Sequence, residues 1–207
     1  GKGLRVRTEY AGDLNRFKNS FAVTGELLEE FKSFLTKSEI KIDDKEFEKD
    51  LWNGYEKKSD IRTNIRKAIK FGAKISKKKD WQNTYSLVFE KDNKLGSPVF
   101  PKKYFEKLNE LFSDKLIYVS AYLPEQEVQM ELDEPEKENY VSDDTRDMLP
   151  VASMIGINYH NKLLMHQLGS DEKHLRKCST MIIFNEMIKD AMQKGIEEID
   201  FGRSRPE

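Results

Sequence analysis

Apolar residues recur along this chain with two spacings, and the spacing alone divides it into helices and strands. Residues 4–10 alternate and predict a strand. Residues 24–35 repeat at helical period, with Thr24 as N-cap and Leu27, Leu28, Phe31, Phe34 and Leu35 on one face. A second helix is expected from Asp43 or Asp44 to Tyr55, burying Phe47, Leu51, Trp52 and Tyr55. Ser59 or Asp60 can cap a third, whose stripe is Ile61, Ile65, Ala68 and Ile69 and whose stop is Gly72.

Further along, the spacing predicts a short strand at 73–76, a helix over 81–91 and a turn-rich stretch at 93–101 broken by Gly96, Pro98 and Pro101. A helix over 102–113 turns Tyr104, Phe105, Leu108, Leu111 and Phe112 inward. Residues 115–123 form a nearly continuous apolar run, as a buried central strand does. Residues 124–148 are polar and acidic, and read as a mobile excursion inserted between two strands, with a helical or hairpin arm as the alternative. A hairpin follows, with strands at 150–159 and 162–168 and its turn at His160-Asn161. A long helix then ends at Gly195, with Met181, Phe184, Ile188, Ala191 and Met192 as core, and residues 196–201 form a last strand.

Composition places this pattern in a globular protein: 37% of the 207 residues are hydrophobic and 35% charged, enough for a core under a heavily solvated surface. The formal net charge of −1 hides two opposed segments. Residues 57–79 hold ten Lys/Arg and one acid; residues 125–147 hold ten Asp/Glu and two bases. One end of the fold is expected to attract anions and the other to repel them. A single cysteine, Cys178, rules out an internal disulfide framework and agrees with a cytosolic setting, which the inner face of the membrane also satisfies. No apolar run reaches the roughly 20 residues a membrane span needs. The chain starts without methionine and stops just after a strand, as an excerpt does.

The order strand, strand, helix, strand in the last third is the order in which GNAT-type acyltransferases build their cleft. Such chemistry needs an amine near a carbonyl, a proton acceptor and donors to an oxyanion. Asp200, Arg203 and Ser204, at the end of the last strand, are the catalytic candidates, although Asp200 and Arg203 can equally form an ion pair at the sheet edge. The loop Gly169-Ser170-Asp171-Glu172-Lys173-His174 lacks the glycine spacing with which backbone amides cradle a pyrophosphate, and it carries two carboxylates, so acyl-CoA is not an expected donor. Lys58, Arg62, Arg66 and Lys70 stand at four-residue steps and offer an anion site for a diphosphate, an RNA backbone or an anionic membrane surface; a solvated charged face is the bland reading. His160, His166 and His174 share no metal-ligand spacing, so no metal is expected, and His166 reads as an alternating strand residue. Cys178 reads as a buried structural thiol.

Three motifs together resemble the FemAB/FemABX family of aminoacyltransferases, which build peptidoglycan interpeptide bridges. Residues 57–72, KKSDIRTNIRKAIKFG, resemble the family's basic helix. Residues 95–105, LGSPVFPKKYF, are similar to its L-G-T-P-V turn and the helix after it. Asp200-Phe201-Gly202-Arg203-Ser204, preceded by Ala191-Met192-Gln193-Lys194-Gly195, looks like its D-F-G-R-S ending. The resemblance covers about residues 51–206.

It implies an α/β (α+β) fold with a GNAT-like, mixed, mostly antiparallel sheet flanked by helices. Residues 51–207 would be the acyltransferase domain, with the acidic insertion at 124–148, and residues 1–50 a cap or the remnant of a first GNAT-like domain. It further implies transfer of an amino acid from aminoacyl-tRNA, or of another carried acyl group, to an amine of a muropeptide-like acceptor, without bound metal or cofactor. Lys58, Arg62 and Arg66 would bind phosphate, and Gly96, Ser97, Pro98 and Tyr104 would line the substrate site. Peripheral membrane contact is allowed and DNA is not an expected partner. Relatives continue beyond the Arg-Ser step into a G-T-x-x-F-K-x-x-W-G segment, whereas the present sequence ends at Glu207. The other readings are a non-catalytic GNAT-fold module for a polyanion, and an N-acyltransferase of exopolysaccharide or lipid assembly.

Overall fold

The structure, a computed structural model, describes residues 5–7, 51–53, 55, 60–178 and 180–201. The helix expected over 24–35, most of that expected to end at Tyr55, and the positions of Lys58, Arg203 and Ser204 lie outside them.

The described strands form one six-stranded sheet: β1 (Arg5–Arg7), β2 (Lys74–Ser76), β3 (Leu116–Pro124), β4 (Met148–Tyr159), β5 (Lys162–Ser170) and β6 (Glu198–Asp200), in the spatial order β1-β6-β5-β4-β3-β2. From β2 to β5 neighbours run antiparallel, while β6 is parallel to both β5 and β1. The sheet is thus mixed and mostly antiparallel, as the motifs implied. Three residues of the N-terminal segment belong to it, through the pairs Arg5 with Glu198 and Arg7 with Asp200.

Helices α1 (Asp60–Lys70), α2 (Trp81–Lys94), α3 (Lys102–Phe112) and α4 (Met181–Gln193) cover the two faces in pairs. Alternation along β3 shows the division. Ile117, Val119, Ala121 and Leu123 join the core shared with α1 and α4, whereas Leu116 and Tyr118 join that shared with α2 and α3. Every residue of β3 except Pro124 is buried, as expected of a strand covered on both sides.

Local signals set the boundaries. Asp80 caps α2 by accepting from the Asn83 amide at 3.0 Å. Gly72 and Gly195 end α1 and α4 at φ of 73° and 68°, where other residues are strained. His160 and Asn161 both take positive φ, 49° and 59°, the two-residue turn whose twist suits a hairpin.

The acidic stretch is not a free excursion. Its backbone adds a parallel bridge at the outer edge of β2, where the Ile75 amide donates to the Tyr140 carbonyl and the Ser142 amide to that of Ile75, both at 2.8 Å. Lys74 donates to the Asn139 carbonyl, Lys78 to that of Asp143, and the Met130 amide to the Lys70 carbonyl. The basic and acidic segments are therefore neighbours, not opposite ends of the fold. Opposite charge and the open hydrogen-bonding edge of β2 bring them together.

On α4 this strap meets a buried polar cluster. The Tyr140 hydroxyl donates to Glu186 Oε1 at 2.7 Å, Asn185 Nδ2 donates to the same oxygen at 3.1 Å, and Tyr55 donates to Asn185 Oδ1 at 3.2 Å. Lys189 lies 3.1 Å from Glu186, and Lys77 lies 3.4 Å from Asp190. Burial, and then the charge of Glu186, push the Tyr55 phenol up and keep it a donor. The carboxylates are held by donors on every side, the condition under which burial of charge is tolerated. No described helix is long and apolar enough to cross a membrane.

Candidate active site

The feature that organises the site is a break in the β4–β5 register. Gly156 pairs with Met165 and Ile155 with Gln167, so His166 is an extra residue with no partner across the ladder. The core positions record the slip. Leu163 and Met165 face α4 two residues apart, but the next residue to do so is Leu168. His166 lies on the other face, toward α3, and the slip returns Leu168 to the α4 side.

There His166 Nε2 lies 2.6 Å from the hydroxyl of Tyr104, in the first turn of α3. Phe100 stacks on the Tyr104 ring at 4.5 Å between centroids, and its own ring is 6.2 Å from the imidazole. Tyr104 also meets Phe105 edge-on at 5.7 Å, which fixes its rotamer. Burial lowers the His166 pKa and raises that of Tyr104, so at neutral pH the pair is an uncharged imidazole and an intact phenol. A pair of this kind can take up a proton and return it.

Tyr104 and His166 are both partly exposed. Among the described residues, β5 pairs with β6 as far as Leu164 and Asp200, and His166 lies two residues further along β5. Asp200 is half-buried at the end of β6, while Phe201 packs against Phe184 at 5.8 Å. Gly96, Ser97 and Pro98 are exposed in the turn between α2 and α3. Gly96 takes φ of 64°, and the Ser97 amide closes the turn on the Asp92 carbonyl at 2.9 Å. This turn leads directly into Phe100 and Tyr104.

The predicted cationic residues lie elsewhere. Arg62 is 7% exposed, donates to the Trp52 carbonyl and sits over the Trp52 ring at 5.2 Å; Arg66 lies over the same ring at 5.3 Å. They belong to the α1 and α4 side of the sheet, whereas Tyr104 and His166 belong to the α2 and α3 side. The structure does not bring these two sets into one pocket. Arg66, Lys67 and Lys70 reach solvent.

The loop after β5 carries an acid where a pyrophosphate would meet backbone amides. Asp171 accepts from the Lys173 amide at 3.0 Å and lies 3.0 Å from His174 Nδ1. Burial alone would raise the Asp171 carboxyl, but that amide and the neighbouring His174 and Lys173 hold it below the usual carboxylate range. Among the described residues no cluster of His, Cys, Asp and Glu has the form of a metal site.

His166 is the functional candidate that spacing analysis passed over, since a histidine in an alternating strand looks ordinary. The signal was there in the interval Leu163, Met165, Leu168, which strict alternation cannot put on one face.

Comparison with known proteins agrees with the architecture. Residues 141–207, which contain β4, β5, α4 and β6, match the family model described as acetyltransferase (GNAT) domain. No curated protein matches the chain significantly in sequence. Among solved structures, the crystal structure of FemX superposes with a TM-score of 0.55 at 12% identity, over 71% of the present chain and 49% of FemX. The chain thus spans about half the length of FemX. The chain therefore shares its fold with FemX, and its last third, from β4 to β6, resembles a GNAT domain.

Proposed function

We propose that the protein is an acyltransferase that moves an amino acid from aminoacyl-tRNA onto an amine of a phosphate-bearing cell-wall precursor. The observation that carries this reading is the bulge in β5 beside His166, whose imidazole meets the Tyr104 hydroxyl with both residues partly exposed. The GNAT domain match and the FemX-like fold support acyl transfer as the reaction class. In this reading Asp200, Gly96, Ser97 and Pro98 line the substrate site, and Arg203 and Ser204, which lie outside the described residues, stay candidates by sequence alone.

An acyl-CoA donor is disfavoured because a pyrophosphate at the Gly169–Asp171 loop would have to displace the Asp171 carboxylate from the Lys173 amide. A tRNA carries its charge along a backbone and needs a basic surface rather than a cradle. Arg66, Lys67 and Lys70 supply that surface, and Arg62 contributes less because it is clasped to Trp52. The reaction is placed in the cytosol, at or near the inner membrane face where lipid-linked precursors are assembled.

A second reading, a non-catalytic module for a polyanion, draws on the position of the α1 cations across the sheet from Tyr104 and His166. The two separate in one assay, in which the protein is given a UDP-linked muropeptide with labelled aminoacyl-tRNA, acyl carrier protein or acyl-CoA in turn. Label on the muropeptide from aminoacyl-tRNA alone is the expected result. Salt-sensitive tRNA binding without turnover points to the module, and turnover from the carrier protein to an N-acyltransferase of exopolysaccharide or lipid assembly.

A further inference from the structure

We propose that Tyr104 and His166, which meet beside the bulge in β5, are the proton-transfer pair of the acyl transfer, with Tyr104 meeting the amine and His166 standing behind it. This inference rests on the acyltransferase reading above and names residues for it.

The geometry sets the order of the two groups. Tyr104 stands in the first turn of α3, next to the exposed Gly-Ser-Pro turn, with its hydroxyl 2.6 Å from Nε2. His166 lies on the strand beside the stacked Phe100 and Tyr104 rings and is more deeply buried than Tyr104, so a substrate reaches the phenol first. Ring stacking from Phe100 and edge contact from Phe105 hold the phenol in place.

The step balances without any outside reagent. As the amine nitrogen attacks the ester carbonyl, an N–H proton passes to the Tyr104 oxygen while the Tyr104 proton moves to His166 Nε2, leaving an imidazolium. When the tetrahedral intermediate collapses and the ester C–O bond breaks, the imidazolium returns its proton through Tyr104 to the departing ribose oxygen. The N–C bond has formed, the C–O bond has broken, and the pair has regained its starting state.

A neutral imidazole is the required resting form, and burial favours it. Tyr104 on α3 is the titratable group in contact with the imidazole; α3 also carries Lys102, Lys103, Glu106, Lys107 and Glu110, α2 carries Tyr85, Glu90, Lys91, Asp92 and Lys94, and β6 carries Glu198 and Asp200. Lys91 donates to the Leu168 carbonyl and lies 3.3 Å from Asp92, so its charge is partly balanced within α2.

The test compares wild type, Tyr104→Phe, His166→Gln and His166→Ala in single-turnover transfer from labelled aminoacyl-tRNA to a UDP-linked muropeptide across pH. The imidazole of His166 is followed by NMR in the same proteins. We expect Tyr104→Phe and His166→Gln to lose about 10²- to 10³-fold in rate with substrate affinity unchanged. The acidic limb of the wild-type profile should coincide with the NMR titration of His166 and vanish in His166→Gln. Imidazole added to His166→Ala should restore part of the rate. Wild-type transfer that is unchanged in both single variants overturns the pair while leaving the acyltransferase reading intact. Absence of wild-type transfer from any donor overturns both. A loss confined to affinity, or matched by loss of the folded spectrum in all variants, shows a structural role and overturns the proposal.

Discussion

Tyr140 and Glu186, 46 residues apart in sequence, are joined by a 2.7 Å hydrogen bond that ties the acidic strap to the buried face of α4. Glu186 is 2% exposed, so its carboxylate depends on the donors that the fold supplies. The strap is thereby part of the α4 support.

Tyr140→Phe keeps the ring and removes that one donor. We expect a loss of about 1–3 kcal/mol in unfolding free energy, the cost of leaving a buried acceptor short of a partner. Urea denaturation checks this, and protease sensitivity between residues 125 and 147 should rise with it.

Gly169→Ala tests the packing of α2 on β5. A Cβ at Gly169 would stand 2.3 Å from the Val88 nitrogen and 2.4 Å from the Leu87 carbonyl carbon, both backbone atoms that cannot rotate away. We expect at least about 1–3 kcal/mol of destabilisation from overpacking, read as a fall in Tm. The displaced helix should also disturb the neighbouring His166 resonance.

Cys178 should be inert in the native state. It is 1% exposed, and burial pushes its thiol up to about 12, so the reactive thiolate is scarce at neutral pH. Ellman's reagent should label it only as fast as the protein unfolds, and labelling should become immediate in denaturant.

The cationic face of α1 makes a quantitative expectation. If Arg66 and Lys67 neutralise phosphates, Arg66→Ala and Lys67→Ala should each weaken tRNA binding and lower the slope of log K against log salt by about 1. Arg62→Ala should behave differently: its guanidinium clasps Trp52, so it should lower Tm more than it changes the salt slope.

Much of this was legible in the sequence because local signals and tertiary packing agreed. The hairpin turn at His160-Asn161, the stops at Gly72 and Gly195 and the doubly covered β3 all follow from spacing and turn chemistry. The rest depended on relationships between distant segments. Nothing local in residues 125–147 shows that Val141 will bridge to Ile75, and runs of opposite charge gave no sign that they would meet. Arg62 read as a phosphate ligand because its spacing on α1 was visible while Trp52, ten residues earlier, was not seen as its partner. The bulge at His166 was hidden for a related reason: a one-residue slip belongs to a pair of strands, and only the interval between core residues records it.

The most direct measurement is the NMR response of the His166 imidazole to a non-hydrolysable amide analogue of the aminoacyl-tRNA acceptor stem. We expect His166 and Tyr104 to shift together on titration, with their hydrogen bond retained and resonances of the buried α4 residues unmoved. Saturable binding of the analogue that leaves both resonances in place, with shifts confined to α1, would contradict an acyl-transfer site on the bulged strand.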